Sequence, residues 1–305
     1  MMKIPEFLQP GDKVAIVCPA SFIRGDISKG IAILESWGLE VHVGETVDSQ
    51  FHQFAGDDTL RAADFQWALN HPEIKAVFAA RGGYGSVRII DKIDFSIFQK
   101  QPKWVIGFSD ITVFHTHINR RYNCATIHGQ MPKSFETGTP ASLETLRQAL
   151  FGEAVSYTFS KNPLNKGFIG REATIKGRLI GGNLAILHSL VGSVSEPKYK
   201  NKILFIEDVG ETFYNVDRML WTLKRAGHLK KLKGIIVGGF SGMRDNSPAY
   251  GYSIEEIILE KVQEYDYPVV FDFPAGHIDD NHALIFGQKV ALETVGDICR
   301  VSYSD

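Results

Sequence analysis

The chain has 305 residues, 44% hydrophobic and 22% charged, which is enough apolar surface for a core and enough length for two domains of about 150 residues. Lys plus Arg number 33 and Asp plus Glu 35, so the net charge is −2; nothing builds the strong positive field of a nucleic-acid-binding protein, and an anionic ligand has to be met by a local site. No apolar run approaches the roughly 20 residues of a membrane span, and the opening MMKIPEFLQPGDK has no apolar signal stretch, so the expectation is a soluble, unexported protein with neither membrane nor nucleic acid as partner.

The first half alternates strand and helix signals. Lys13 to Cys18 is a short β-rich run; Ile27, Ile31 and Leu34 then recur at helical spacing, with Gly38 closing the helix. A second strand spans Glu40 to Val43. Asp57 or Asp58 is placed to cap a helix whose predicted apolar face holds Leu60, Ala63, Trp67 and Ala68. Strands follow at Lys75 to Ala79 and Lys103 to Ile106, each before a helical pattern (86–93 and 110–120). This alternation predicts an α/β fold with a doubly wound, mostly parallel sheet over 1–152. Between 153 and 176 the rhythm breaks at Lys161, Asn162, Pro163, Asn165, Lys166 and Gly167, and a linker is expected there. The domain 177–305 shows strands at 202–206, 234–237, 268–271 and after 283, with helices at 183–191, 214–226 and 253–264; an α+β, barrel-like domain is expected.

Three cysteines, Cys18, Cys124 and Cys299, lie far apart without metal-type spacing and read as buried structural thiols. Chemistry concentrates in three segments. Gly107-Phe108-Ser109-Asp110 follows the strand KWVI and precedes a helix, a turn that lifts a serine hydroxyl beyond the sheet beside helix N–H groups; Ser109 or Asp110 as a plain helix cap is the competing reading. The complete G-x-S-x-G elbow is absent, because Ile111 takes the final glycine position. Arg81-Gly82-Gly83-Tyr84-Gly85 follows KAVFAA and offers backbone N–H groups to a ligand, or is simply a tight turn; it matches no nucleotide-binding glycine pattern.

The third feature is Glu207, at the end of KILFI, and His277, after PVVF. An imidazole oriented by a carboxylate can activate a serine, although singly each residue is more often structural. The acidic and His-bearing clusters Glu207, Asp208, Glu211 and His277, Asp279, Asp280, His282 lack a metal-ligand spacing, so no metal is expected, and Asp279 and Asp280 read as solvated loop residues.

In order and spacing these segments resemble the LD-carboxypeptidase, or muramoyltetrapeptide carboxypeptidase, family. The likeness runs from Leu8-Gln9-Pro10-Gly11-Asp12 through Ala55-Gly56-Asp57-Asp58, Arg61-Ala62-Ala63-Asp64, the Arg81 loop and Gly107-Phe108-Ser109-Asp110. It continues in His128-Gly129, Gly181-Gly182-Asn183-Leu184, Phe205-Ile206-Glu207-Asp208 and Gly276-His277. It overrides the capping reading of Ser109. The resemblance implies a serine peptidase with Ser109 as nucleophile in the first domain, and His277 as base with Glu207 as its orienting acid in the second. It implies an oxyanion hole from the N–H groups of Gly83 and Asp110, no cofactor, a cytoplasmic homodimer, and removal of the terminal D-alanine from murein tetrapeptides during wall recycling. The expected partner is such a tetrapeptide or its sugar or nucleotide conjugate. Because the chain has no long-range attraction for a carboxylate, Arg81 with Gly82 and Tyr84 is the candidate substrate-binding set; Arg81 holding the loop is the competing role. One departure is Gln130, where family members often carry proline. Relatives of the family hydrolyse a microcin C-type peptidyl-nucleotide, but the compact Arg178-Leu179-Ile180-Gly181-Gly182-Asn183 segment looks more like the wall-recycling type. A non-catalytic peptide-binding protein is the remaining alternative.

Overall fold

The computed structural model describes residues 2–167 and 173–303. In chain order the strands are β1 (Lys13–Val17), β2 (Glu40–Val43), β3 (Ile74–Ala79), β4 (Trp104–Gly107), β5 (Thr126–His128), β6 (Ser156–Ser160) and β7 (Ala173–Asn183). They continue with β8 (Lys202–Val209), β9 (Gly234–Ser241), β10 (Val269–Val270), β11 (Leu284–Phe286), β12 (Lys289–Val295) and β13 (Ile298–Tyr303). The chain divides into two units, Met1–Glu153 with Asp279–Ile285, and Ala154–Ile278 with Phe286–Asp305.

The sheet of the first unit has the order β11-β5-β4-β3-β1-β2, and every pair from β2 to β5 is parallel. Val14, Ala15 and Ile16 of β1 and Trp104 and Ile106 of β4 have no solvent exposure. A parallel strand covered on both faces has no wet side, which is why these segments read as apolar runs instead of alternating patterns. The mostly parallel α/β reading of this half holds. Carboxyl ends of such strands are where α/β sheets bind ligands, and the loops leaving β3 and β4 carry the Arg81 segment and Ser109.

The helix Asp58–Asn70 corrects the predicted apolar face. Asp57 does cap it, accepting the Leu60 N–H at 2.8 Å. Its buried residues, however, are Arg61, Ala62, Asp64, Phe65, Ala68 and Leu69, while Trp67 and Ala63 face outward. Two polar side chains are buried because they hold loops: Arg61 bonds backbone carbonyls, and Asp64 accepts the N–H groups of Glu45 and Thr46 at 3.2 and 3.0 Å. Hydrophobic periodicity cannot register a buried stripe built on charged residues.

The second unit has a mixed sheet in the order β10-β9-β8-β7-β12-β13-β6. Strands β7 to β10 pair in parallel, whereas β12 is antiparallel to β7 and to β13, and β13 to β6. After β6 the chain returns beside β10: Lys166 and Val269 exchange backbone hydrogen bonds of 3.0 and 3.1 Å, drawing the two ends of the sheet order together. This matches the barrel-like α+β expectation. Helix Phe213–Arg225 buries Val216, Met219, Leu220 and Leu223, an i, i+3, i+4, i+7 stripe, and helix Ile254–Val262 starts at a Ser253/Glu256 capping box. These helices pack with β8 and β9 around Leu204, Ile206, Ile235 and Val237.

The expected linker 153–176 is interrupted by structure. Ser156–Ser160 form β6 against β13, and Ala173 already belongs to β7; residues 168–172 lie outside the described residues. The sequence of β6, Ser-Tyr-Thr-Phe-Ser, is half polar because it is an outer strand, and so it reads as loop. The second unit is also not continuous over 177–305, since Asp279–Ile285 rejoins the first and β11 joins that unit's sheet. All three cysteines are free and buried; burial raises each thiol above its ordinary value, Cys124 to about 12, as structural thiols require. Among the described residues no helix is long and apolar enough to cross a membrane.

Candidate active site

Ser109 lies two residues past the end of β4, after Phe108, and has φ +65°, in the left-handed region. That conformation costs a non-glycine residue about 1–2 kcal/mol, so the strand-to-helix turn must be held by its surroundings. Below it, the Gly107 carbonyl ending β4 accepts from the Gly129 N–H at 3.2 Å and bonds His115 Nε2 at 2.8 Å. His115 has no wet surface; burial lowers its pKa to about 4, so the ring is a neutral support. The glycine loop packs on the serine itself: a Cβ on Gly82 would lie 2.8 Å from Ser109 Cβ and 3.0 Å from Oγ. Gly83, at φ +115°, is exposed, and no protein acceptor among the described residues takes its N–H.

The loop is tied from several directions. The Tyr84 N–H donates to Ser21 Oγ at 3.3 Å, and Arg81 Nη1 donates to the Phe22 carbonyl at 2.9 Å, so part of the Arg81 fork does hold the loop. Asp110 is buried, and its Oδ2 accepts the Ser86 N–H at 2.7 Å, pinning the end of the glycine loop to the residue after Ser109. Burial raises the Asp110 pKa against the pull of these N–H donors. Arg61 is fully buried and donates to the carbonyls of Pro19 (2.6 Å), Gly85 (3.0 Å) and Gly56 (3.2 Å), with Asp58 as its ion-pair partner. One planar guanidinium thus fixes three loops at the carboxyl edge of the sheet. Gln130, the departure from the family pattern, is buried; its Nε2 donates to the Asp279 carbonyl at 2.9 Å and its Oε1 accepts from Ser134 Oγ at 2.6 Å. It anchors the returning 279–285 segment within its own unit.

In the second unit Glu207 lies on β8 with no solvent exposure, and its Oε2 is 2.7 Å from His277 Nδ1. The ladder between β8 and β9 slips here: Ile206 faces Val237 but Asp208 faces Phe240, so Glu207 sits opposite an extra residue. Such a bulge re-aims a side chain next to a working site. The 273–278 segment carrying His277 is laid on β9 by the Gly239 N–H to Ala275 carbonyl bond (2.9 Å) and by Ser241 Oγ donating to the His277 carbonyl (2.8 Å). Gly276, at φ +117°, passes so close that a Cβ there would be 2.8 Å from Glu207 Cβ and 2.9 Å from Oε2.

Burial opposes charge on His277, but the hydrogen bond it donates to Glu207 and the charges of Glu207 and Asp208 outweigh it, and the ring's pKa is raised above the ordinary 6.5. Asp208 is buried and accepts from Asn183 Nδ2 (2.9 Å) and the N–H groups of Ala185 (3.0 Å) and Val209 (2.9 Å). Burial, helped by neighbouring Glu207, pushes it up to about 7 against those donors. The bond to Glu207 engages Nδ1 of the imidazole and so fixes the orientation of the ring.

Within the first unit the structure therefore brings together Ser109, Asp110 and the Arg81–Tyr84 loop, and within the second it pairs Glu207 with His277. Asp279 is exposed and bonds Gln130 only through its backbone carbonyl, whereas Asp280 is not merely solvated: Thr139 Oγ1 donates to its carboxylate. Among the described residues no group of three or more His, Cys, Asp or Glu side chains is placed to hold a metal ion. Sequence reasoning assigned no role to Arg61, Asp64, Asn183 or Asp208. Their signal was present only as motif positions, since a buried charged residue looks like surface until its partners are known.

Residues 14–129 match the LD-carboxypeptidase N-terminal domain and residues 176–292 the LD-carboxypeptidase C-terminal domain. A probable murein peptide carboxypeptidase of Bacillus subtilis is 34% identical over 296 residues, covering 95% of this chain and 91% of that one. The crystal structure of muramoyltetrapeptide carboxypeptidase from Oxalobacter formigenes superposes with a TM-score of 0.86 at 28% identity, over 96% of this chain and 99% of that one. The microcin C7 self immunity protein gives the same TM-score, 0.86, over 100% and 99% of the two chains, but at 21% identity that likeness shows the fold alone. Serine turn, glycine loop and carboxylate–imidazole pair all fall within segments that these matches span from end to end: the chain belongs to the LD-carboxypeptidase family and is a peptidase.

Proposed function

We propose that this chain is a serine carboxypeptidase that hydrolyses the bond from an L-centre to the terminal D-alanine of murein tetrapeptides, with Ser109, His277 and Glu207 as its catalytic residues. The observation that carries the reading is the 2.7 Å bond from His277 Nδ1 to the fully buried Glu207 carboxylate. It makes the imidazole a base through Nε2 and stabilises the imidazolium that forms on proton uptake. Ser109 Oγ adds to the scissile carbonyl as its proton passes to His277. The N–H groups of Gly83 and Asp110 hold the oxyanion, each worth roughly 10²–10³ in rate. Collapse expels D-alanine, whose amine takes the proton from His277. A water, deprotonated by the same ring, then releases the acyl group and restores Ser109.

The free carboxylate of D-alanine falls to the N–H groups of the glycine loop and to Arg81, which uses Nη1 on Phe22 and has further N–H groups in its fork. Tyr84, 47% exposed, and Gly82 complete the binding edge. The names of the Bacillus and Oxalobacter relatives support the substrate class. The family resemblance adds a cytoplasmic homodimer, checked by light scattering and cell fractionation. The test is kcat/KM for a tetrapeptide, its pentapeptide with one further D-alanine, and a C-terminally amidated tetrapeptide, each with the same sugar. The tetrapeptide should be strongly preferred, because the other two place a neutral amide where the charge belongs. Equal values for the three would refute carboxylate recognition; cleavage of a peptidyl-adenylate without any D-alanine release would refute the assignment. Purified Ser109→Ala and His277→Ala should each lose several orders of magnitude in kcat, because such residues act as a unit.

A further inference from the structure

Glu207 lies near the carboxyl end of β8 and Lys202 opens the same strand, five residues or roughly 16 Å away. Around Lys202 is a concavity of about 460 Å³, lined by Lys198, Tyr199, Lys200, Lys202, His228 and Lys231 among others. That volume falls within the range of roughly 300–1,000 Å³ typical of small-molecule sites. Its charge is one-sided. The segments PKYKNK (197–202) and RAGHLKKLK (225–233) contain no Asp or Glu, although acids outnumber bases 35 to 33 in the whole chain. Among the described residues, Lys198, Lys200, Lys202 and Lys231 form no ion pair with a carboxylate. The nearby acid, Glu196, pairs with His228. His228 in turn stacks on buried Tyr199, ring centroids 4.4 Å apart and planes at 19°, which gives the site an ordered wall. Lys202 feels the crowding: burial, then the charges of Arg178, Lys198 and Lys233, hold its ammonium below the ordinary value.

Like charges gathered without a counter-charge destabilise the folded state, and a bound anion removes that cost. Several flexible ammonium groups, each a point charge with three donors, suit tetrahedral oxyanions better than a single planar carboxylate. A concave site with an aromatic wall is also unlike the flat face with apolar anchors that a membrane surface requires. We propose that this concavity binds a small multivalent phosphate anion, a diphosphate or the diphosphate of a nucleotide, at a site separate from the reaction centre.

Calorimetric titration of the full chain with inorganic diphosphate, monophosphate and ADP tests this. Diphosphate should bind saturably with one site per chain, at least tenfold tighter than monophosphate, and weaken as salt is raised from about 50 to about 300 mM. Lys200→Glu combined with Lys231→Glu should weaken binding at least tenfold and raise the ligand-free melting temperature, because it relieves the crowded positive charge, while leaving kcat/KM unchanged. Lys100→Glu, an exposed lysine elsewhere, should bind as the parent does. Retention of diphosphate binding by Ser109→Ala separates this site from the reaction centre. Tighter ADP than diphosphate assigns the nucleotide; equal affinity assigns the free anion. The proposal is overturned by absence of saturable binding, by equal affinity in the double charge-reversal variant, or by adsorption to anionic lipid vesicles with no diphosphate binding.

Discussion

Replacing Gly82 by alanine puts a single methyl group against the nucleophile. Gly82 is not at positive φ, so alanine is compatible with its backbone and the perturbation is steric. The new Cβ would sit 2.8 Å from Ser109 Cβ and 3.0 Å from Oγ, whereas carbon atoms prefer about 3.5–4.0 Å. Something must shift by close to 1 Å. Ser109 has little freedom to yield, because it is already held at φ +65° at the end of a fully buried strand. A misplacement of about 1 Å at a reacting group costs roughly 10²-fold, or about 2.7 kcal/mol of transition-state stabilisation. Overpacking should lower stability by about 1–3 kcal/mol, leaving a folded protein. Gly129→Ala is the control, since its Cβ would meet Ala283 and Leu146 at an ordinary 3.4 Å. D-alanine release gives kcat/KM, a serine-reactive probe gives the labelling rate of Ser109, and a thermal melt reports folding. Unchanged kcat/KM and labelling in Gly82→Ala, with its melt near the parent's, would refute the claim that the glycine loop sets the position of the serine.

The base must be neutral to accept a proton, and His277 is raised above its ordinary 6.5, so kcat/KM should fall with acid on a limb lying above that value. Glu207→Gln should move the limb to lower pH and lower kcat by about 10⁴-fold; a limb that stays in place would separate Glu207 from the base. Arg61→Lys keeps the charge but loses the planar fork across Pro19, Gly85 and Gly56. It should cost about 2–4 kcal/mol in chemical denaturation and slow D-alanine release, and a parent-like value for both would show that the three loops hold themselves.

Much of this arrangement could be read in the chain because its signals are local. Buried parallel strands are apolar runs, and the turn after β4 places Ser109 where a strand meets a helix. Glu207 and His277 also stood out at strand ends. What escaped depends on partners distant in sequence. Arg61 and Asp64 reverse the apparent face of their helix because each satisfies backbone groups elsewhere in the fold. The slip between Ile206 and Asp208 needs the register of β9. Strand β6 exists through β13, about 140 residues later, and the return of Asp279–Ile285 to the first unit rests on contacts such as Gln130 to Asp279. Family motifs carried these residues into view, but not the reason for them.

Glu207 shows why such a site is held against its own stability. A carboxylate without solvent exposure loses several kcal/mol of hydration, and the returns available to it are a hydrogen bond and an opposite charge. Its partner supplies the full return only when His277 is protonated, which is what raising the imidazole pKa expresses. By linkage, a group whose folded-state pKa is raised adds stability that is complete below the unfolded value near 6.5 and is lost as pH climbs through the folded value. In the proposed mechanism catalysis runs the other way, because His277 acts as a base only once that proton has left. The contribution of this pair to stability and to activity should therefore have opposite slopes across one pH window. In the proposed mechanism the state the fold favours most, carboxylate beside imidazolium, is also the one reached when Ser109 gives up its proton. The surroundings are thus organised for the charged pair before any substrate arrives, and the cost is carried at any pH above the raised pKa of His277, where the ring is neutral.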